Sequence, residues 1–108
     1  MNESQMLKGL LEGCVLKIID KGECYSAELV EKLREYGFEN VSEGTLFPLL
    51  LRLEARELFD TKKKANPLGP SRKYYSLNEK GKRELDFFIE QWKLLEGKIN
   101  FILGDADE

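Results

Sequence analysis

Near the C-terminus, Leu85, Phe88, Trp92, Leu95, Ile99 and Ile102 recur at steps of three, four, three, four and three. That spacing is the a/d seam of a coiled coil. Phe87, Ile89, Leu94 and Phe101 flank the seam, so the helix is apolar on more than one side. A chain of 108 residues amounts to one small domain, which can cover one of those sides and leaves the other for a second copy. The pattern therefore predicts a homodimer held by Leu85, Phe88, Trp92, Leu95, Ile99 and Ile102. Asn78 supplies an N-cap oxygen, and a helix from there to about Leu103 would be roughly 39 Å long. The acidic tail from Gly104 to Glu108 is expected to fray.

The preceding residues read as three short helices and a hairpin, with a division expected between residues 1–77 and 78–108. Leu7, Leu10, Leu11, Cys14, Val15, Ile18 and Ile19 predict one helix from Glu3 to Asp20, broken by Lys21-Gly22-Glu23. A second helix starts near Tyr25 or Ser26, with Ser26 as cap, buries Leu29, Val30 and Leu33, and ends at Gly37. Ser42 caps a third, whose inward stripe is Leu46, Leu49, Leu50 and Leu53. Pro48 costs little if it falls within the first turns. Leu58–Lys64 and Arg72–Leu77 read as strands around a stiff Pro/Gly loop at 65–71. The expected fold is mainly α with a small β-hairpin: a winged helix-turn-helix followed by a long dimerisation helix.

The formal charge of −3 hides an asymmetry. Residues 62–83 hold eight basic groups and one acid, a net +7, while the others hold nine basic and nineteen acidic groups, a net −10. A polyanion responds to the face presented within about 8 Å, the Debye length at physiological salt, rather than to the sum. No run approaches the roughly 18 apolar residues of a membrane span, and the first residues lack a signal-peptide layout, so a cytoplasmic protein is expected. Histidine is absent, which removes the commonest general base and metal ligand. No metal cluster, phosphate loop or activated nucleophile stands out, so neither an enzyme nor a cofactor is expected. Cys14 and Cys24 read as reduced packing residues.

The run Val41-Ser42-Glu43-Gly44-Thr45-Leu46-Phe47-Pro48-Leu49-Leu50, with Arg52-Leu53-Glu54, closely resembles the recognition-helix signature of PadR-type transcriptional regulators. Gly69-Pro70-Ser71-Arg72-Lys73-Tyr74-Tyr75-Ser76-Leu77-Asn78-Glu79-Lys80-Gly81 is similar to that family's wing and the start of its last helix. Tyr25-Ser26-Ala27-Glu28-Leu29 matches its second-helix pattern more loosely. The likeness runs from Met6 to about Leu103, and the short C-terminal region resembles the compact branch with a single dimerisation helix. Ser26-Ala27 stands where the family usually has Gly and an aromatic, and Glu57 where it usually has Gly.

What the resemblance implies is a repressor of transcription that binds double-stranded DNA. The front of the third helix would enter the major groove with Ser42, Gly44, Thr45 and Phe47, and Arg52 further along. Lys62, Lys63, Lys64, Arg72, Lys73 and Tyr74 would contact the backbone from the wing, although Lys63 points opposite to Lys62 and Lys64. Two-fold pairing would set the recognition helices on a roughly palindromic operator. Drug-responsive members bind flat aromatics at a tryptophan between two chains, which implies an aromatic or lipophilic effector near Phe88, Trp92 and Leu95. A winged-helix adaptor that binds protein without DNA is the alternative that the net acidity suggests.

Overall fold

The computed structural model describes residues 1–104, so the acidic residues 105–108, expected to fray, lie outside the described residues. Five helices and one hairpin follow in order: α1 (Glu3–Leu7), α2 (Leu11–Lys21), α3 (Ser26–Glu35), α4 (Glu43–Ala55), β1 (Phe59–Asn66), β2 (Gly69–Leu77) and α5 (Glu79–Leu103). The core is made by the inner stripes of α2, α3 and α4, closed by Leu58, Phe59 and Tyr75 of the hairpin region and Leu85 of α5. Leu29, Val30 and Leu33 of α3 and Leu46, Leu49, Leu50 and Leu53 of α4 are all buried, as their spacing predicts.

The first helix differs from the expectation of one element over residues 3–20. Asn2 and Gln5 cap α1 reciprocally, Asn2 Oδ1 accepting from Gln5 N–H at 3.0 Å and Gln5 Oε1 from Asn2 N–H at 3.1 Å. The chain then breaks at Gly9, whose φ of 91° a glycine adopts without steric cost. The apolar stripe runs through the break, which is why periodicity alone reads it as continuous. Pro48 falls in the second turn of α4, at its sixth residue, so the Gly44 carbonyl has no N–H four residues on. Gly44 is exposed, and water can satisfy that carbonyl.

Helices α3 and α4 end in the same way. After α3, Phe38 N–H donates to Leu33 C=O and Gly37 N–H to Arg34 C=O; after α4, Leu58 N–H donates to Leu53 C=O and Glu57 N–H to Glu54 C=O. Both are Schellman caps, which require a left-handed residue. Gly37 supplies it in the first with φ 102°, but Glu57 does so in the second with φ 62°, unlike any other non-glycine residue among those described. A side chain in that region costs roughly 1–2 kcal/mol, partly offset by its lower entropy when unfolded. Glu57→Gly is therefore expected to stabilise the protein by about 1 kcal/mol and raise Tm by roughly 4–8 °C at fixed protein concentration. A Tm below that of the parent would show that the turn carries no such strain.

The hairpin is tighter than the predicted loop over residues 65–71. Strands β1 and β2 are antiparallel, with Lys62 opposite Tyr74, Lys63 opposite Lys73, Lys64 opposite Arg72 and Asn66 opposite Gly69. Only Pro67 and Leu68 form the turn, and Asn66 Oδ1 accepts from Leu68 N–H at 3.1 Å. Pro70 is tolerated inside β2 because each strand of a two-stranded sheet is an edge, where a missing N–H goes unused. At its base the hairpin acquires a third partner. Cys24 and Tyr75 exchange both backbone hydrogen bonds, at 3.2 and 2.9 Å, fastening β2 to the segment between α2 and α3. This is a winged helix, with a wing anchored at its root.

Helix α5 starts inside the core and leaves it. Asn78 caps it through Gly81 N–H at 2.8 Å, and Gly81 and Leu85 are buried. The Phe88 ring fills the space beside Gly13 of α2 that a side chain there would need. From Gln91 to Asn100 every residue is exposed, and Phe101, Ile102 and Leu103 remain so. The membership of Leu85 in the dimer seam is thereby corrected, because at 3% exposure it is taken up by its own chain. Among the described residues, no helix is long and apolar enough to cross a membrane.

Candidate nucleic-acid interface

The front of α4 is built by its cap. Ser42 Oγ accepts from Thr45 N–H at 3.3 Å and lies 3.1 Å from Thr45 Oγ1, so the two hydroxyls form one polar point at the helix N-terminus. Ser42, Gly44, Thr45 and Phe47 are all exposed, Phe47 at 58%. Leucines fill the inward face, which leaves the Phe47 ring outside. Uncommitted N–H groups and the positive end of the helix dipole favour an anion at this position.

The wing adjoins that front through the start of α3. Ser26, expected to cap α3, instead donates from its hydroxyl to Glu43 Oε1 of α4 at 2.9 Å. The cap residue is Tyr25, whose N–H donates to Glu28 Oε1 at 3.2 Å. The Tyr25 ring then meets Tyr74 of β2 edge-on at 5.2 Å and carries the Arg72 guanidinium 4.4 Å above its centre. The Lys64 ammonium sits 4.4 Å from the Tyr74 ring centre and is bonded to Glu23 at 3.0 Å. An unbroken line of contacts thus joins Glu43, Ser26, Tyr25, Tyr74, Arg72 and Lys64. Sequence reading missed Tyr25 and Ser26 as parts of the surface, although the looser motif match at 25–29 passes through both.

Strand alternation divides the basic residues in two. Lys62, Lys64, Arg72 and Tyr74 share the side that meets Tyr25, together with Asp60 at the base. Lys63 and Lys73 lie on the other side with Phe59 and Tyr75. Lys73 donates to both carboxylate oxygens of Glu54 on α4, at 2.7 and 2.9 Å, and that hydrogen bond holds its ammonium above the ordinary lysine range. The charge is permanent at neutral pH, and because Lys73 is both paired to Glu54 and on the side away from Tyr25, it does not share the face of Lys62, Lys64 and Arg72. Among the described residues Lys62, Lys63 and Arg72 make no ion pair.

Arg52 also belongs elsewhere. It lies seven residues beyond Thr45, about 10 Å along the axis, and its guanidinium binds Glu12 of α2 at 3.2 Å. Glu12 is also 3.9 Å from Arg56, which pairs with Glu84 of α5 at 3.0 Å. Arg52 therefore takes part in a surface network tying α2, α4 and α5 together, behind the helix front.

A second feature lies on the side of α2 that faces α5. Leu10, Gly13, Cys14, Ile18, Leu33, Phe38, Phe88 and Trp92, with Lys17 and Lys21 at the margin, are among the residues lining a mostly apolar groove of about 660 Å³. Phe88 and Trp92 of the sequence-predicted ligand set are in this lining; Leu95, one turn further on, is not. Burial pushes the Cys14 and Cys24 thiols above their ordinary range, so little thiolate exists at neutral pH and both suit packing roles.

Comparison with known proteins agrees with this geometry. Residues 15–86 match the family model described as the transcriptional regulator PadR-like family. A PadR-like transcriptional regulator from Bacillus cereus is 46% identical, with a TM-score of 0.82 over 93% of this chain and 97% of that one. A Streptococcus transcriptional regulator is 43% identical, with a TM-score of 0.82 over 94% of this chain and 100% of that one. A PadR family regulator from Eggerthella lenta shares 28% identity and a TM-score of 0.85, over 93% and 87% of the two chains. With two thirds of its length matched by the family model and nearly all of it by these structures, this chain belongs to the PadR-like family of transcriptional regulators.

Proposed function

We propose that the chain acts as a homodimeric repressor that binds a roughly palindromic operator in the cytoplasm. Ser42, Gly44, Thr45 and Phe47 read the major groove, while Lys62, Lys64, Arg72 and Tyr74 hold the adjoining phosphates. Lys63 stands on the far side of the same wing and adds to its field without sharing that face. The observation that carries this reading is the continuity from the tip of α4 to the basic side of the wing through Tyr25 and Ser26. Division of labour follows the sequence: residues 1–77 meet DNA, and the helix beyond them pairs two chains. Trp92, Leu95, Ile99 and Ile102 are exposed at 37, 43, 43 and 81%, an apolar ridge that one copy leaves in water. Phe88 packs against Gly13 within one chain and can still present its outer edge to a partner.

Selection of genomic fragments by the purified protein tests this directly. Enrichment of a few palindromic segments, including the promoter of its own gene, is expected. Absence of any enrichment at low salt would point instead to an adaptor that binds protein.

The groove at Phe88 and Trp92 supports an aromatic or lipophilic effector that releases the operator. Such a ligand must favour the DNA-free arrangement, since equal affinity for both states would shift nothing. Planar aromatics are expected to quench Trp92, the single tryptophan, over the same concentration range in which they displace operator DNA. Quenching with no change in DNA binding would remove the effector from the account.

A further inference from the structure

Tyr25 touches the wing without belonging to it. Its backbone is fixed twice at the start of α3: its own N–H is tied to Glu28, and the neighbouring Cys24 is bridged to Tyr75 by two backbone hydrogen bonds. On this platform the Arg72 guanidinium lies 4.4 Å above the ring centre, and Tyr74 stands edge-on at 5.2 Å. A cation held by an aromatic face keeps its N–H groups free, because the ring attracts charge without accepting a conventional hydrogen bond. Lys73 shows the contrast, its ammonium being occupied by both oxygens of Glu54. Lys64 is likewise bonded to Glu23. Among the described residues, Arg72 is thus the wing cation that is both held in place and left with its donor fork uncommitted. An arginine so placed loses less side-chain freedom on meeting a phosphate, and its planar fork suits two phosphate oxygens.

We propose that Tyr25 is a positioning residue for DNA binding, acting through Arg72 to aim its guanidinium at a backbone phosphate beside the recognition helix. This rests on the reading that the Arg72 side of the wing faces DNA. Tyr25 touches no nucleotide in this account, and its aromatic face rather than its hydroxyl is what matters.

The test is a double-mutant cycle on the full chain, read as anisotropy of a labelled operator fragment chosen by genomic selection. Tyr25→Ala is expected to weaken binding about five- to tenfold, counting both copies in the dimer. Tyr25→Phe should stay within about twofold of the parent, because the ring is retained. Tyr25→Leu, which fills the space without an aromatic face, should behave like Tyr25→Ala and carries the test if the alanine variant fails to fold. In an Arg72→Ala background, removing the ring should cost nothing more. Full affinity in Tyr25→Leu, or losses that multiply with those of Arg72→Ala, would overturn the proposal. If Arg72→Ala itself binds as tightly as the parent, the wing reading is what fails.

Discussion

Reversing the charge of Lys62 and Arg72 together, as K62E/R72E, is expected to weaken binding of duplex DNA by about a hundredfold or more at 0.1 M salt. Both side chains lie on the side of the wing that adjoins the α4 tip, and neither makes an ion pair among the described residues. Each loses a phosphate contact and gains a repulsion, and a dimer carries the change twice. Charge-assisted hydrogen bonds contribute roughly 1.5–3 kcal/mol each, so a hundredfold loss, about 2.7 kcal/mol, is a conservative figure. Lys63→Glu makes the same kind of change on the opposite side and is expected to cost less than about tenfold, through the general field alone. Equal losses from the two sides would mean that the wing presents no preferred face. Both variants should keep the parent's Tm within a degree or two, since exposed charges contribute little to stability.

Gly81→Ala is expected to produce the largest loss of stability from a single methyl group. Gly81 lies in the first turn of α5, where that helix enters the core, and a β-carbon there would collide with the Leu58 carbonyl and the Leu77 side chain. A flexible side chain can yield, but the Leu58 carbonyl belongs to the turn that closes α4 and accepts from Asn78 N–H at 3.2 Å. The turn, the N-cap and the helix must therefore shift as a unit. Overpacking of this kind costs about 3 kcal/mol, at the top of its usual range, which corresponds to a fall in Tm of roughly 12–24 °C. The same substitution at Gly97, with open space around it in the chain, gains helix propensity instead. A Gly81→Ala protein that melted with the parent would show that α5 is not seated as described.

The elements with a repeating apolar face were legible in the sequence because burial imposes the period. The stripes of α3 and α4 and the Ser42 and Asn78 caps are local consequences of residues within one or two turns. The break at Gly9 was hidden, since a glycine can bend the chain without disturbing the apolar spacing on either side. The extent of the wing was hidden for a different reason. Pro67, Gly69 and Pro70 suggest a broad loop, but the pairing of Asn66 with Gly69 depends on register, which the edge position of both strands leaves free to include Pro70.

The candidate site was legible in part for similar reasons. Ser42, Gly44, Thr45 and Phe47 follow from one helix and a filled inner face. The ion pairs of Lys73 and Arg52 within the chain were not legible, because their partners, Glu54 and Glu12, are brought beside them only by tertiary packing. Tyr25 was invisible for the same cause in reverse. Its value arises from Tyr74 and Arg72, which the Cys24–Tyr75 bridge sets against it. The departure at Glu57 was legible, and its physical content proved to be the left-handed turn that a glycine would make more easily.

Operator affinity measured by fluorescence anisotropy across a range of salt concentrations tests the central claim, that the α4 tip and the basic side of the wing meet the phosphate backbone as one surface in each half of a dimer. The predicted result is a linear log–log plot with a slope on the order of −5 or steeper, since each neutralised phosphate releases close to one counterion. A slope near zero, with tight binding persisting as salt rises, would contradict it.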